Sequence, residues 1–204
     1  MAELIFKEDT HEYFLDGVRL PSVSEVKSPL DTWIRFVNED TLERARAFGS
    51  AVHLTVQLFL EGDLDESALD APLAGCLGAF KSWRDKEGRD FFDLGTPIIE
   101  TPIAHPRLRY AGTPDLRWPG LAIIDLKSRP YDKRSDPVQL AAYEGLDKEN
   151  GGGCCDKHVL ELRLDGTYKF KPAENNQAWG VFRKFLDYYH LQLEIDNLVA
   201  NWKG

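Results

Sequence analysis

Gly112-Thr113-Pro114-Asp115, followed by Asp125-Leu126-Lys127, is the stretch on which the reading of this 204-residue chain turns. Leu121-Ala122-Ile123-Ile124 runs straight into the second triplet. Such a continuously apolar segment suits a central strand covered on both faces. Side chains alternate along a strand, so Asp125 and Lys127 project from one face. Trp118-Pro119-Gly120 signals a tight turn that lays the preceding strand alongside, bringing Asp115 close to Asp125. Two carboxylates and an ammonium then meet at one end of a sheet. Neighbouring ionised carboxylates repel each other unless a hard divalent cation lies between them. A lysine at the same point stabilises negative charge developing on a phosphate, or positions a water. Carboxylates, a metal and a lysine together suit phosphodiester hydrolysis. A D-x-K triplet alone is a common surface ion pair. Its place at the end of an apolar strand, where unpaired charge is costly, gives it weight.

Working outward, strands are expected over Thr96–Ala104, Leu108–Trp118 and Leu121–Lys127, with turns at His105-Pro106 and Pro119-Gly120. Upstream, the first 20 residues pattern as a hairpin, with Asp16-Gly17 supplying a further turn. Pro21-Ser22-Val23-Ser24-Glu25 has the look of a capped helix start, and a second short helix is expected over Leu30–Val37. Thr41 opens a longer helix whose buried face carries Ala45, Phe48, Val52, Thr55, Val56 and Phe59, ending near Gly62. The acidic run after it, Asp63 to Asp70, lacks the ligand spacing of a calcium loop. Another helix is expected from Pro72 to Gly88, and downstream a helix over Pro137–Leu146 and a strand over Lys157–Leu164. A terminal helix from about Glu174 buries Trp179, Phe182, Phe185, Leu186, Tyr189, Leu193 and Leu198. The order predicts an α/β fold with a central mixed sheet flanked by helices. No repeat or linker divides the chain, so a single domain over 1–204 is expected: hairpin and helices over 1–40, a core over 41–172, and the terminal helix over 173–204.

Two further groups sit at helical spacing. Gly49 and His53 are four residues apart on one edge of the Thr41 helix, and an interior glycine there suggests a close backbone approach. Gln139 and Tyr143 share a face of the helix after the lysine strand. Taken singly, an isolated histidine is more often a core-edge residue, and the Gln–Tyr pair an ordinary amphipathic helix.

The set Gly49-x-x-x-His53, Glu100, Gly112-Thr113-Pro114-Asp115, Asp125-x-Lys127 and Gln139-x-x-x-Tyr143, in this order, resembles the RecB-type branch of the PD-(D/E)XK nucleases. Pro21-Ser22-Val23-Ser24 is similar to the Pro-Ser-Val-Thr element of the phage-type and mitochondrial genome maintenance exonucleases of that branch. The resemblance spans about residues 11–145. It implies a restriction-endonuclease-like core and a Mg2+ or Mn2+ ion held by His53, Asp115, Asp125 and the Leu126 carbonyl. It also implies Lys127 as the catalytic lysine and Glu100 acting through the metal's water shell or at a second metal. Gln139 and Tyr143, with Ser128 and Arg129, would line the substrate side. A mixed nitrogen and oxygen set favours Mn2+ as a good substitute for Mg2+. Some relatives hold an iron–sulfur cluster on four cysteines. Only Cys76, Cys154 and Cys155 occur here, so no cluster is expected.

The resemblance thus implies a metal-dependent DNA exonuclease acting on single strands or DNA ends in phage or bacterial recombination or repair. The alternatives are a structure-specific endonuclease and an inactive nucleic-acid-binding module. Unwinding would fall to a recombination or helicase partner. A formal charge of −9 argues against broad nucleic-acid coating. From His105 to Arg134, however, seven basic residues face three acidic ones, a net of +4 that leaves −13 elsewhere. The absence of a long apolar run or a secretion signal, with thin cysteine usage, predicts a cytoplasmic protein without a membrane partner.

Overall fold

In a computed structural model, which describes residues 3–32 and 36–202, the chain opens with three antiparallel strands, β1 (Leu4–Lys7), β2 (Glu12–Leu15) and β3 (Val18–Leu20). The Asp16-Gly17 turn has φ of 51° and 77°, the positive values a two-residue type I′ loop requires. Ser22 caps α1 (Val23–Lys27) reciprocally with Glu25: the Ser22 hydroxyl accepts from the Glu25 N–H, and the Glu25 carboxylate accepts from the Ser22 N–H. The short helix expected over Leu30–Val37 crosses residues 33–35, which lie outside the described residues.

α2 (Glu39–Glu61) starts two residues before Thr41, because Asn38 caps it by accepting the Asp40 N–H. Gly62, at φ 83°, closes it as expected. Ala45, expected to be buried, is exposed; the first turns of α2 reach the body through Leu42, and Val52, Thr55 and Val56 bury the second half. α3 (Ala71–Arg84) and α4 (Arg89–Asp93) follow.

The two long strands expected between residues 96 and 118 are broken into four: β4 (Ile98–Ile99), β5 (Ile103–His105), β6 (Tyr110–Gly112) and β7 (Leu116–Trp118). Glu100 takes a left-handed φ of 40°, which turns the chain out of β4. Pro114, with no N–H to donate, interrupts the second strand. β5 and β6 pair off as a separate ribbon, whereas β4 and β7 stay in the main sheet. That sheet has the order β10-β9-β8-β7-β4, completed by β8 (Ala122–Lys127), β9 (Asp156–Leu162) and β10 (Tyr168–Pro172). β8 runs antiparallel to β7 and parallel to β9. The parallel pair is joined by a crossover through α5 (Asp136–Glu149).

Alternation along β8 divides the core between the two faces. Ile123 joins Val159, Leu140, Leu146 and Phe182 on the side of α1, α5 and α6 (Ala178–Asn201). Ile124 and Leu126 join Val52, Val56, Phe80 and Trp83 on the side of α2 and α3. Full burial of each such side chain is worth roughly 1.5–3 kcal/mol, so β8 is anchored from both sides up to its last residues. α6 outruns the body it packs on. Ala178, Phe182 and Leu186 are buried, but Leu193 and Leu198 are 43% and 69% exposed rather than covered. Among the described residues, no helix is long and apolar enough to cross a membrane.

Candidate metal centre at the end of the central strand

The pairing of Leu116 with Ile124 sets Asp115, the residue before β7, beside Asp125. Asp115 Oδ2 accepts the Leu126 N–H at 2.5 Å, which fixes this carboxylate to the end of β8. From the opposite layer, α2 delivers His53. Its Nδ1 lies 3.4 Å from Asp115 Oδ1 and 3.1 Å from Glu100 Oε1, and its Nε2 lies 3.0 Å from the Leu126 carbonyl oxygen. Glu100 is aimed here by its left-handed backbone and by its N–H, which donates to the Asp115 carbonyl at 3.1 Å. His53, Glu100 and Asp115 each offer a ligand atom, all within 4.8 Å of one another.

Asp125 and Lys127 lie on the α5 side. Lys127 Nζ is 2.7 Å from Asp125 Oδ2, and Gln139 Nε2 donates to Asp125 Oδ1 at 2.9 Å. The same amide nitrogen is 3.2 Å from the Tyr143 hydroxyl. Although the lysine is close, Asp125 Oδ2 has no aligned hydrogen bond and is buried.

The charged groups of the cluster shift one another's protonation. Burial alone would depress the His53 imidazolium, but the Asp115 and Glu100 carboxylates hold its pKa well above the ordinary histidine value. Both ring nitrogens face oxygen acceptors, an arrangement that favours the imidazolium form. Burial works against ionised Asp115 too, yet His53 and Lys127 keep it below the usual aspartate value. Glu100 is pushed up by burial and by the neighbouring Asp115 charge. Asp125 rises to about 6, chiefly through burial, with Lys127 opposing and Asp115 adding to the shift. Burial would lower Lys127, but Asp125, Asp115 and Asp136 outweigh it and keep the ammonium charged.

The donor chemistry suits a divalent cation. One imidazole, carboxylates and a backbone carbonyl form the mixed set that Mg2+ or Mn2+ accepts. Relative to the ligand set His53, Asp115, Asp125 and Leu126, Glu100 comes into direct contact with His53, while Asp125 is engaged by Lys127 and Gln139. No spacing in the sequence announces the position of Glu100, because a single backbone torsion sets it.

The other sequence candidates fall nearby with different partners. Ser128 is half-buried at the end of β8 and faces α2. A Cβ added to Gly49 would meet Ser128 Oγ at an ordinary 3.7 Å, so the close backbone approach expected at Gly49 is not found. Arg129 is held by Asp136, with Nη2 2.5 Å from Oδ1. The +4 segment does not form one basic face. Arg107 pairs with Glu149 at 2.5 Å, and buried Arg117 pairs with Asp147 at 2.6 Å. These three carboxylates all stand on α5, and they take up three of the seven cations of the segment.

The centre opens into a cleft of about 560 Å³. The β1–β2 hairpin lends it Phe6, Glu8 and His11, and α2 lends Gly49, His53 and Leu54. Thr113 binds the hairpin to the motif strand, its Oγ1 lying 2.8 Å from the Tyr13 hydroxyl.

In fold, the chain is similar to a candidate exonuclease from Eubacterium rectale. That crystal structure matches with a TM-score of 0.54 over 73% of this chain and 67% of the other, at 14% identity. No family model and no curated protein matches the sequence. The likeness concerns the fold, a mixed α/β sheet between helical layers, and the chemistry of the site rests on the geometry described above.

Proposed function

We propose that the chain is a metal-dependent deoxyribonuclease of the PD-(D/E)XK type, RecB-like branch, acting as an exonuclease on single strands or DNA ends. One observation carries the reading. His53, Glu100 and Asp115 converge with the Leu126 carbonyl at the end of β8, where Asp125 and Lys127 complete a buried charge cluster. Fold likeness to a candidate exonuclease is in keeping with it.

In this reading His53, Asp115 and the Leu126 carbonyl hold Mg2+ or Mn2+, with Glu100 and Asp125 completing the shell directly or through water. Once bound, the ion supplies Lewis-acid polarisation of the phosphate and lowers the pKa of a water. The protein's own groups do the rest. Gln139 orients the Asp125 carboxylate through Oδ1, and Tyr143 backs Gln139. Lys127 is an ammonium beside Asp125, so it acts as a fixed cation against negative charge growing on the phosphate rather than as a proton acceptor. Ser128 and Arg129 border the substrate side, Arg129 held in place by Asp136. The protein would work in the cytoplasm, with any unwinding left to a helicase or recombination partner.

The test is hydrolysis of end-labelled DNA, single- and double-stranded, linear and closed-circular, with Mg2+, Mn2+ or EDTA. Linear strands should be degraded only with metal, and Lys127→Ala or Asp125→Ala should abolish this. Cleavage of closed circles would replace the exonuclease by an endonuclease on the same site. Absence of cleavage with either metal would contradict the enzyme reading.

A further inference from the structure

The cleft above the candidate centre has an unusual lining for a nucleic-acid site. Among the described residues, it includes no lysine or arginine and carries the carboxylates of Glu8 and Glu100. Phosphate neutralisation by side-chain cations therefore contributes little to holding a strand there. What the cleft does offer is an aromatic wall on the N-terminal hairpin. His11, an exposed residue, lines the cleft, and its ring stands edge-on to Phe6, with centroids 5.1 Å apart and planes at 88°, and to Tyr13, whose hydroxyl lies 3.3 Å from His11 Nε2. Phe6 in turn stacks on Tyr13 at 4.7 Å, and the Tyr13 hydroxyl meets Thr113. The wall is thus braced through Tyr13 to the strand that carries Asp115. His11 holds a left-handed φ of 53°, a conformation uncommon for a non-glycine residue. From α2, Leu54 also lines the cleft and is 53% exposed.

We propose that Phe6 and His11 form a base-stacking subsite which takes an unpaired nucleobase against the hairpin, with Leu54 of α2 lining the same cleft, and so selects a single-stranded terminus for the centre below. This rests on the nuclease reading and names its substrate contact. Stacking on an aromatic face is sequence-tolerant, because every base has one. A paired base keeps its neighbours in the duplex stack and does not enter.

The test separates binding from cleavage. A single-stranded oligonucleotide carrying 2-aminopurine at one end or the other is titrated in EDTA, where fluorescence quenching reports stacking. The wild type should quench the probe, and His11→Ala should weaken binding by about 5- to 150-fold, in line with roughly 1–3 kcal/mol per stacked base. His11→Phe should restore it, with melting temperatures confirming that all variants fold. The logarithm of affinity against the logarithm of salt should have a slope no steeper than about −1, because few phosphates meet side-chain cations. In the presence of metal, His11→Ala should raise KM for the strand by more than it lowers kcat. An unaltered affinity in His11→Ala, no quenching by the wild type, or a steep salt slope would each overturn the subsite. Quenching by the wild type without cleavage in either metal would leave the subsite standing and remove the nuclease reading instead.

Discussion

Replacing Asp125 by asparagine in the metal-free protein should flatten a pH dependence of stability that the wild type carries. The Asp125 pKa stands at about 6 in the folded protein against 3.8 for a free aspartate. At about 1.36 kcal/mol per pH unit, the difference amounts to about 3 kcal/mol as an upper bound. The sign follows from which state holds the proton more tightly. The folded state does, so the contribution is fully present below pH 3.8 and is lost as pH rises through 6. Between pH 4 and 7 the wild type should therefore lose about 2–3 kcal/mol relative to Asp125→Asn. For a chain of this size that is a relative change of about 5–10 °C in melting temperature. Asparagine also gives up the pairing with Lys127, but that lysine stays charged throughout this range and so adds only a constant offset. The assay is thermal or urea unfolding of both proteins in EDTA at half-unit steps of pH, and the quantity is the difference between them. Adding Mn2+ at pH 7 should restore the wild type selectively, by about 2.7 kcal/mol at a hundred times its dissociation constant. A difference that stays flat from pH 4 to 7, or grows in favour of the wild type, would refute the claim that the cluster holds more negative charge than it can settle without a cation.

Other outcomes follow from the same geometry. Gly112→Ala should destabilise by about 1–3 kcal/mol through overpacking, since its Cβ would come within 2.8 Å of Tyr143 Cε1 and 3.0 Å of Val23 Cγ2; chemical denaturation measures it. Gly49→Ala, meeting only Ser128 Oγ at 3.7 Å, should instead gain up to about 1 kcal/mol of helix propensity. Asp147→Ala should cost about 3–5 kcal/mol by leaving Arg117 buried and unpaired, while Glu149→Ala, whose partner Arg107 is exposed, should cost far less. Binding of Mn2+ should release protons at neutral pH, because His53 is held protonated by its carboxylates until a cation displaces the proton. Calorimetry in buffers of different ionisation enthalpy detects that release, and its absence would remove His53 as a ligand.

The parts of this site that were legible in the sequence are those governed by short-range periodicity. Asp125 and Lys127 share a face because a strand alternates, and the apolar run before them marks β8 as central. His53 follows Val52 on a helix whose later turns bury Val52 and Val56, so its position at the edge of that face could be read from spacing. What sequence could not show depends on contacts distant along the chain. Glu100 reaches His53 because one residue adopts a left-handed torsion as β4 ends. The basic run from Arg107 to Arg134 looked like a strand-binding face, yet a charge count over a window omits Asp136, Asp147 and Glu149 on α5, which offset three of its positive charges. The outer apolar residues of α6 have the spacing of a buried face, but Leu193 and Leu198 lie beyond the layer that the helix packs on.

The central claim is that this cluster holds a divalent cation, and anomalous diffraction from crystals grown with Mn2+ tests it most directly. The account predicts a peak at the end of β8, about 2.1 Å from a His53 ring nitrogen, an Asp115 oxygen and the Leu126 carbonyl oxygen. A peak elsewhere, or none at millimolar Mn2+ with His53 still bonded to Glu100 and Leu126, would contradict it.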